Sequence, residues 1–277
     1  MEFDNKFKVC IAIPIYKNTV DGNEKKSLLQ ALNIFSSHSI IFFHPYNLDL
    51  SEFKNICSTY HASYFFEAFD DRHFVNTQSY NSLIYKKEFY QRFEQFEFML
   101  LYQLDAYVFR DELKFWCNAG FDYIGAPWFK NHDTSGQEKE FIQYAGNGGF
   151  SLRNIKSILL AISKELDFVD LIKLRRILKP FKMKLPYYIF IISLIKKIAL
   201  AEAISIKDDE LKNEDIFFAL ILPQISPQFK SAKFNEAIPF AFEAMPEKLF
   251  KMNGDKLPFG CHGWYKYSKE FWKNFIK

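Results

Sequence analysis

A chain of 277 residues is long enough to bury one large α/β core. A hydrophobic fraction of 49% excludes a disordered chain, and a net charge of +3 is too small to argue for nucleic acid as a partner. Aromatic residues make up 19%, with 33 Phe, which reads as the composition of an AT-rich genome rather than as a set of aromatic cages.

Residues 1–6 are polar and lack the apolar core of a signal peptide. Val9-Cys10-Ile11-Ala12-Ile13, closed by Pro14, is the near-continuous apolar run of a central parallel strand, buried on both faces. After a polar loop at 17–23, Leu28, Ala31, Leu32 and Phe35 repeat at helical spacing. Residues 39–43 form the next strand, stopped by His44-Pro45. Ser51 is placed to cap a helix carrying Phe53, Ile56, Cys57 and Tyr60 on one face. A third strand is expected at 63–66, a longer helix at 77–93 and a buried strand at 98–101. This β-α-β-α-β-α-β order predicts a mostly parallel sheet sandwiched by helices.

Asp111 then caps a short helix with Leu113, Trp116 and Cys117 inward. Residues 123–128 predict a strand ending in a turn, 131–139 a polar loop, and Asn154 the cap of a helix with Ile155, Ile158, Leu159 and Ile162 in register. Residues 164–201 break the pattern. They are apolar and basic, with Lys173, Arg175, Arg176, Lys179, Lys182, Lys184, Lys196 and Lys197, and are expected as a helical insertion within one domain. The longest apolar run, 185–195, contains Pro186 and is shorter than the roughly 20 residues that span a membrane. Cys10, Cys57 and Cys117 fall on apolar faces, and none of these or Cys261 sits in a CxxC pair. They read as reduced packing residues, which suits the cytoplasm.

Four segments carry candidate chemistry. The strand at 98–101 runs into Tyr102-Gln103-Leu104-Asp105. A buried lone carboxylate is costly unless it is paired or metal-bound, and strand ends in α/β sheets are where ligands bind. Asp105 is therefore either a site residue or the cap of the following turn. Gly146-Asn147-Gly148-Gly149 lets a backbone approach a ligand closely, although such a turn taken alone is more often structural. Asn213-Glu214-Asp215 opens an amphipathic helix with Ile216, Phe217, Leu220 and Ile221, so its acids either cap that helix or do acid–base work. His262 lies in Phe259-Gly260-Cys261-His262-Gly263-Trp264, as a packing residue or a ligand.

Together with residues 9–17, Tyr123-Ile124-Gly125-Ala126-Pro127-Trp128 and the run Phe150-Ser151-Leu152-Arg153, these segments resemble a family of bacterial glycosyltransferase-like proteins known only as a domain of unknown function. The likeness spans nearly the whole chain apart from the basic insertion. The motif order is similar to the GT-A nucleotide-sugar transferase pattern: a carboxylate motif after a central strand, a Gly-rich loop, a Glu-Asp pair and a C-terminal His. The resemblance implies a GT-A-like, Rossmann-type sheet in a single domain over 1–277. Its nucleotide-binding half would cover about 1–110 and its acceptor half about 111–277.

The implied function is transfer of a sugar from a nucleotide-sugar donor to a glycan or lipid-linked acceptor in bacterial surface polysaccharide synthesis, by an inverting displacement. The resemblance implies Mn2+ or Mg2+ held by Asp105 and His262, offsetting charge on the diphosphate. Gln103 stands where the motif has its first acid, and it supplies no charge. Donor contacts are implied for Pro14, Tyr16, Asn81, Gln103 and Asp105, with the sugars lying against Gly146, Asn147, Gly148 and Gly149. Asp215 is implied as the general base, with Glu214 as the other candidate. Two other classes stay open. One is a nucleotidyltransferase, for which 17–22 poorly matches a basic Gly-rich loop. The other is a non-catalytic sugar-binding or membrane-surface protein, kept open by Gln103. The basic segment 164–201 would rest on an anionic membrane from the cytoplasmic side, cover the core, or form a dimer contact at 186–195.

Overall fold

Strand β1 (Val9–Pro14) is buried from end to end. Val9, Ile11 and Ile13 point into one apolar cluster and Cys10 and Ala12 into a second, as strand alternation requires. The structure is a computed structural model and describes residues 8–60, 62–129, 141–164 and 213–277. After β1 come α1 (Gly22–Ile34), β2 (Ser39–Pro45), α2 (Ser51–Ser58), β3 (Ser63–Phe69), α3 (Thr77–Ile84), α4 (Lys87–Gln91) and β4 (Phe98–Tyr102). Then follow β5 (Tyr107–Val108), α5 (Leu113–Asn118), β6 (Tyr123–Ile124), β7 (Pro127–Phe129), β8 (Phe141–Ala145), β9 (Phe150–Asn154) and α6 (Ile155–Lys164). A helix begins as α7 (Glu214–Ile216), passes through a π-helical turn (Phe217–Ile221) and ends as α8 (Leu222–Ile225). The chain closes with α9 (Phe234–Ala237), β10 (Ala241–Phe242), α10 (Pro246–Met252), β11 (Gly260–Cys261) and α11 (Lys269–Trp272).

The central sheet has six strands in the order β3-β2-β1-β4-β9-β6. The β1, β2, β3 and β4 pairings are parallel, while β9 runs antiparallel to both β4 and β6. Helices cover both faces. The first face takes Leu28, Leu32, Phe53, Cys57, Leu113 and Trp116; the second takes Leu83, Ile84, Phe89, Tyr90, Ile155 and Phe218. The connection from β1 runs outward to β2 and that into β4 returns to its other side, so the strand order reverses between β1 and β4. A crevice opens at such a reversal, beyond the carboxyl ends of the strands. A small sheet, β10-β11-β5, packs beside it. Cys10, Cys57, Cys117 and Cys261 are free and buried.

The expected fold class therefore holds, with local corrections. The helix expected at 77–93 is two helices, because Lys86 is extended (ψ 143) and re-aims α4 so that Phe89 and Tyr90 both bury. Ser51 is the first residue of α2 rather than its cap: Leu50 holds the cap position without a side-chain bond, and Asp49 Oδ1, one residue earlier, accepts from the Ser51 N–H at 2.9 Å. The strand expected at 123–128 is interrupted at Gly125, where a Cβ would lie 2.8 Å from the Asn147 backbone. The helix expected to be amphipathic after Asn213 instead widens into the π-helical turn, and all five residues of that turn are buried. Asn154 does cap α6, accepting from the Ser157 N–H at 3.0 Å, whereas the cap position of α5 is Glu112, and Asp111, one residue earlier, accepts from the Leu113 N–H at 3.0 Å. The loop expected at 131–139 lies outside the described residues, as does the basic segment beyond Lys164. No helix among the described residues is long and apolar enough to cross a membrane.

Candidate active site

A cavity of about 590 Å³ opens in the crevice past β1 and β4. Pro14, Ile15, Tyr16 and Lys17 form one wall, Phe74 to Thr77 with Tyr80 another, and Gln103, Leu104 and Asp105 the floor. His262, Tyr265 and Lys266 close the remaining side.

Backbone pairing explains how residues so far apart meet. The Gln103 N–H donates to Gly149 O at 2.8 Å, and Ala106 N–H turns back onto Gln103 O at 2.8 Å, which holds Asp105 inward at the turn. β5 pairs antiparallel with β11, setting Cys261 opposite Tyr107. β11 pairs parallel with β10, setting Cys261 opposite Phe242, and the His262 N–H donates to Phe242 O at 2.9 Å. The next residues on these strands, Glu243 and His262, are thereby neighbours.

His262 lies between two carboxylates. Its Nε2 is 3.1 Å from Asp105 Oδ1 and its Nδ1 is 2.9 Å from Glu243 Oε1. Burial acts to lower the imidazole pKa, but Asp105 and Glu243 outweigh it and raise it to about 10. Lys266 Nζ donates to Asp105 Oδ2 at 2.6 Å. Burial acts to raise the Asp105 carboxyl, yet His262 and Lys266 hold it well below the usual range. Gln103 Oε1 lies 3.3 Å from His262 Nε2, and Gln103 Nε2 donates to the Tyr80 hydroxyl at 3.5 Å.

The Gly-rich loop is wedged between this cluster and the acid pair. A Cβ at Gly149 would lie 2.1 Å from His262 Nε2, and one at Gly148 would lie 2.0 Å from Glu214 Oε1. Gly146 presses on Trp128, where a Cβ would come within 2.6 Å. Asn147 Oδ1 accepts from the Gly149 and Phe150 N–H groups at 2.9 and 3.3 Å, so this side-chain oxygen stitches the turn itself.

Arg153 is fully buried behind the loop. It donates to Glu214 Oε1 at 2.7 Å, Tyr90 Oη at 2.9 Å, Ser151 Oγ at 3.0 Å and Gly148 O at 3.4 Å. Glu214 is thus committed to an ion pair. Asp215 accepts from the Ile216 N–H at 2.8 Å. Burial first, then the Glu214 charge, raise its carboxyl to about 7, with Glu243 adding to the effect. The acid pair is therefore within electrostatic reach of the His262 cluster.

The structure brings Pro14, Tyr16, Gln103, Asp105 and His262 to one cavity, with Gly149 backing it. It places Asn81 elsewhere: that side chain is buried and donates to Asn213 Oδ1 at 3.2 Å, joining α3 to the start of α7. Sequence reasoning missed Glu243, Lys266, Tyr80 and the role of Arg153. Glu243 ends the apolar run Phe240-Ala241-Phe242, the same signal that singles out Asp105. Lys266 stands four residues past His262 and carries no comparable signal.

Among the described residues, no group of three His, Cys, Asp or Glu side chains gathers for a metal. Asp105 Oδ1 and His262 Nε2 nevertheless fit a cation. Their 3.1 Å contact is an ion pair, and a bound cation would take the place of the Nε2 proton, with the two side chains as one nitrogen and one oxygen ligand. Gln103 Oε1 is a neutral oxygen at their side. Two or three protein ligands would suffice, since Mg2+ at phosphates is commonly held by one or two side chains, with phosphate oxygens and water as its other ligands.

The family described as Protein of unknown function (DUF5672) matches residues 63–262, more than half of the chain, and the chain belongs to that family. The match includes Asp105, the Gly-rich loop, the acid pair, Glu243 and His262. No curated protein matches the sequence. Among solved structures, the chain is similar to the glycosyltransferase GlyE of Streptococcus pneumoniae TIGR4, with 13% identity, a TM-score of 0.48 and 98% of this chain aligned to 60% of that one. It is similar to the galactosyltransferase LgtC in complex with donor and acceptor sugar analogues, with 10% identity, a TM-score of 0.48 and coverage of 91% and 86%. It is also similar to core-mannan synthase A of Aspergillus fumigatus in a Mn/GDP form, with 10% identity, a TM-score of 0.39 and coverage of 54% and 60%. The chain thus spans 60% of the first and third of these proteins. Likenesses this distant assign no activity to it.

Proposed function

We propose that this DUF5672 member is a GT-A-type glycosyltransferase that moves a sugar from a nucleotide-sugar donor to a glycan or lipid-linked acceptor, as in bacterial surface polysaccharide synthesis, with inversion. The observation that carries this reading is the Asp105–His262 pair, 3.1 Å apart, on the wall of a cavity at the strand-order reversal. In this reading about 1–110 form the nucleotide-binding half and about 111–277 the acceptor half, with His262 and Lys266 of the second half reaching across to the donor diphosphate.

The donor nucleoside lies along Pro14 to Lys17, where Tyr16 is 57% exposed and offers its ring face. The diphosphate lies toward Asp105, His262 and Lys266. Mn2+ or Mg2+ would be held by Asp105 and His262 with Gln103 beside them, and would offset the negative charge that builds on the departing diphosphate. The Lys266 ammonium adds a second positive group on the same side. Asp215, its carboxyl raised by burial and by the Glu214 charge, takes the proton of the acceptor hydroxyl as that oxygen attacks the anomeric carbon. Glu214 stays paired with Arg153 and does not compete for that proton. The basic segment 164–201 is part of the proposal on its composition alone, as the contact with an anionic membrane face from the cytoplasmic side. Cosedimentation with anionic liposomes at low salt tests that part, and binding unchanged when Arg175, Arg176 and Lys179 become Gln would overturn it.

Thermal stability measured against a panel of nucleotide sugars with Mn2+ tests the main reading, because a ligand bound to the folded state raises the melting temperature by mass action. A selected donor should stabilise the wild type and release nucleoside diphosphate, and Asp105→Asn should lose both effects. Pyrophosphate release from a sugar phosphate and a nucleoside triphosphate would instead show a nucleotidyltransferase. No stabilisation by any donor would leave a non-catalytic protein.

A further inference from the structure

We infer that Glu243 is the positioning residue of His262, fixing the imidazole so that Nε2 faces the cation position beside Asp105. The inference rests on the reading of Asp105 and His262 as cation ligands. It goes further by assigning a task to a carboxylate that no motif marks.

Three observations converge on it. First, Glu243 is 6% exposed, and a carboxylate buried to that extent is costly unless it is hydrogen-bonded. Its Oε1 lies 2.9 Å from His262 Nδ1. Second, the contact is built into the backbone. The parallel pairing of Phe242 with Cys261, and the His262 N–H bond to Phe242 O, carry Glu243 and His262 out of the sheet side by side. Third, the rest of the ring has little freedom. Nε2 lies 3.1 Å from Asp105 Oδ1 and 3.3 Å from Gln103 Oε1, and Gly149 packs so closely that a Cβ there would come within 2.1 Å of it. In the cation-free site both ring nitrogens face carboxylates and carry protons; a cation beside Asp105 would take the place of the Nε2 proton while Nδ1–H stays on Glu243, so Nε2 is the nitrogen that Glu243 leaves for a ligand bond. A carboxylate behind a metal-bound histidine performs this task in many metal sites, and its loss typically costs 10–100-fold in affinity.

The test is Mn2+ binding by the full chain with UDP or GDP present, read from the electron paramagnetic resonance of free Mn2+. Glu243→Ala should weaken Mn2+ binding by about 10–100-fold. Glu243→Gln should lose less, since its amide oxygen still accepts from Nδ1–H. With Mg2+ in place of Mn2+, the ¹⁵N resonances of His262 should report Nδ1–H in the wild type and a tautomer mixture in Glu243→Ala. Circular dichroism separates this from a simple loss of fold, because Glu243→Gln should keep the wild-type spectrum while its affinity falls between the other two. If the wild type binds no Mn2+, the cation reading falls and this inference falls with it. If the wild type binds and Glu243→Ala binds equally well, the cation reading stands and Glu243 has no positioning role.

Discussion

Arg153 and Glu214 meet 2.7 Å apart in the core, although 61 residues separate them in sequence. Neither side chain has appreciable contact with solvent, at 0% and 6% exposure. Taking both charges out of water is expensive, and the pair persists because the guanidinium also reaches Tyr90, Ser151 and Gly148 and lies over the rings of Tyr123 and Phe218. Through Gly148 the pair grips the Gly-rich loop from behind. It also settles which acid of Glu214-Asp215 is already engaged.

Breaking this pair from one side should be costly. Arg153→Met leaves a buried carboxylate without its partner, and Glu214→Leu leaves a buried guanidinium, so each should lose about 3–5 kcal/mol. The double variant should recover most of that loss, since apolar residues of similar volume replace buried pairs well. Urea denaturation of the four proteins gives the coupling energy. Additive losses would mean that the pair contributes no more than packing.

Asp215→Asn should cut turnover by about 10²–10⁴, the usual worth of a general base, with little change in donor affinity. It should also stabilise the protein at alkaline pH. The Asp215 carboxyl is raised from 3.8 to about 7 by burial and by Glu214. The stability associated with its neutral form is complete below the unfolded value and is lost as pH rises through the folded one. The wild type should therefore weaken between pH 4 and 7 relative to the variant, by a few kcal/mol at most. Melting temperatures across that range check it, and parallel curves would remove Asp215 as the titrating acid.

Much of this fold can be read from local pattern. β1 and β4 are continuous apolar runs, and α1 and α6 show apolar residues at helical spacing, because each buries against the sheet in the ordinary way. The short elements are legible only in part. β10, β11 and β5 are two residues each, too short for any period, yet their register is what sets Glu243 and Asp105 on either side of His262. Asp105 is visible because a buried strand has no reason to end on a lone acid. Arg153 lies inside β9, where strand alternation alone gives a buried arginine no role, and its partner comes from α7. The Asn81 amide shows the converse: a polar residue suggested as a donor contact is used to join two helices.

Lys266→Met should separate charge from metal holding. Lys266 Nζ bonds Asp105 Oδ2, the oxygen turned away from His262, so Oδ1 keeps its position when the ammonium is removed. Its side chain is 53% exposed, so stability should change by at most about 1 kcal/mol. Affinity for a nucleoside diphosphate should fall about tenfold or more if the ammonium faces phosphate, since charge-assisted hydrogen bonds contribute roughly 1.5–3 kcal/mol. Mn2+ affinity without nucleotide should fall less than in Asp105→Asn. Calorimetric titrations with Mn2+ alone and with the nucleotide check both expectations. Equal losses of both in Lys266→Met would mean that Lys266 supports the cation site rather than the phosphates.

Gly149→Ala and Gly148→Ala should fail in different ways, although the residues are adjacent. The added Cβ at Gly149 would lie 2.1 Å from His262 Nε2 and 2.8 Å from Gln103 Oε1, so it displaces the ring from its place between Asp105 and Glu243. The added Cβ at Gly148 would meet Glu214 Oε1 at 2.0 Å, so it strains the ion pair with Arg153 in the core. Neither neighbour is the free end of a flexible surface chain; both are held by bonds on their far sides. Overpacking of this kind typically costs about 1–3 kcal/mol. Gly148→Ala should show that cost mainly as lost stability, while a buried His262 displaced by Gly149→Ala should cost Mn2+ affinity and turnover even where the fold survives. Urea midpoints and Mn2+ titrations on the two variants test the distinction. Full Mn2+ affinity in Gly149→Ala would show that His262 can leave its observed position without consequence, and would remove it from the cation site.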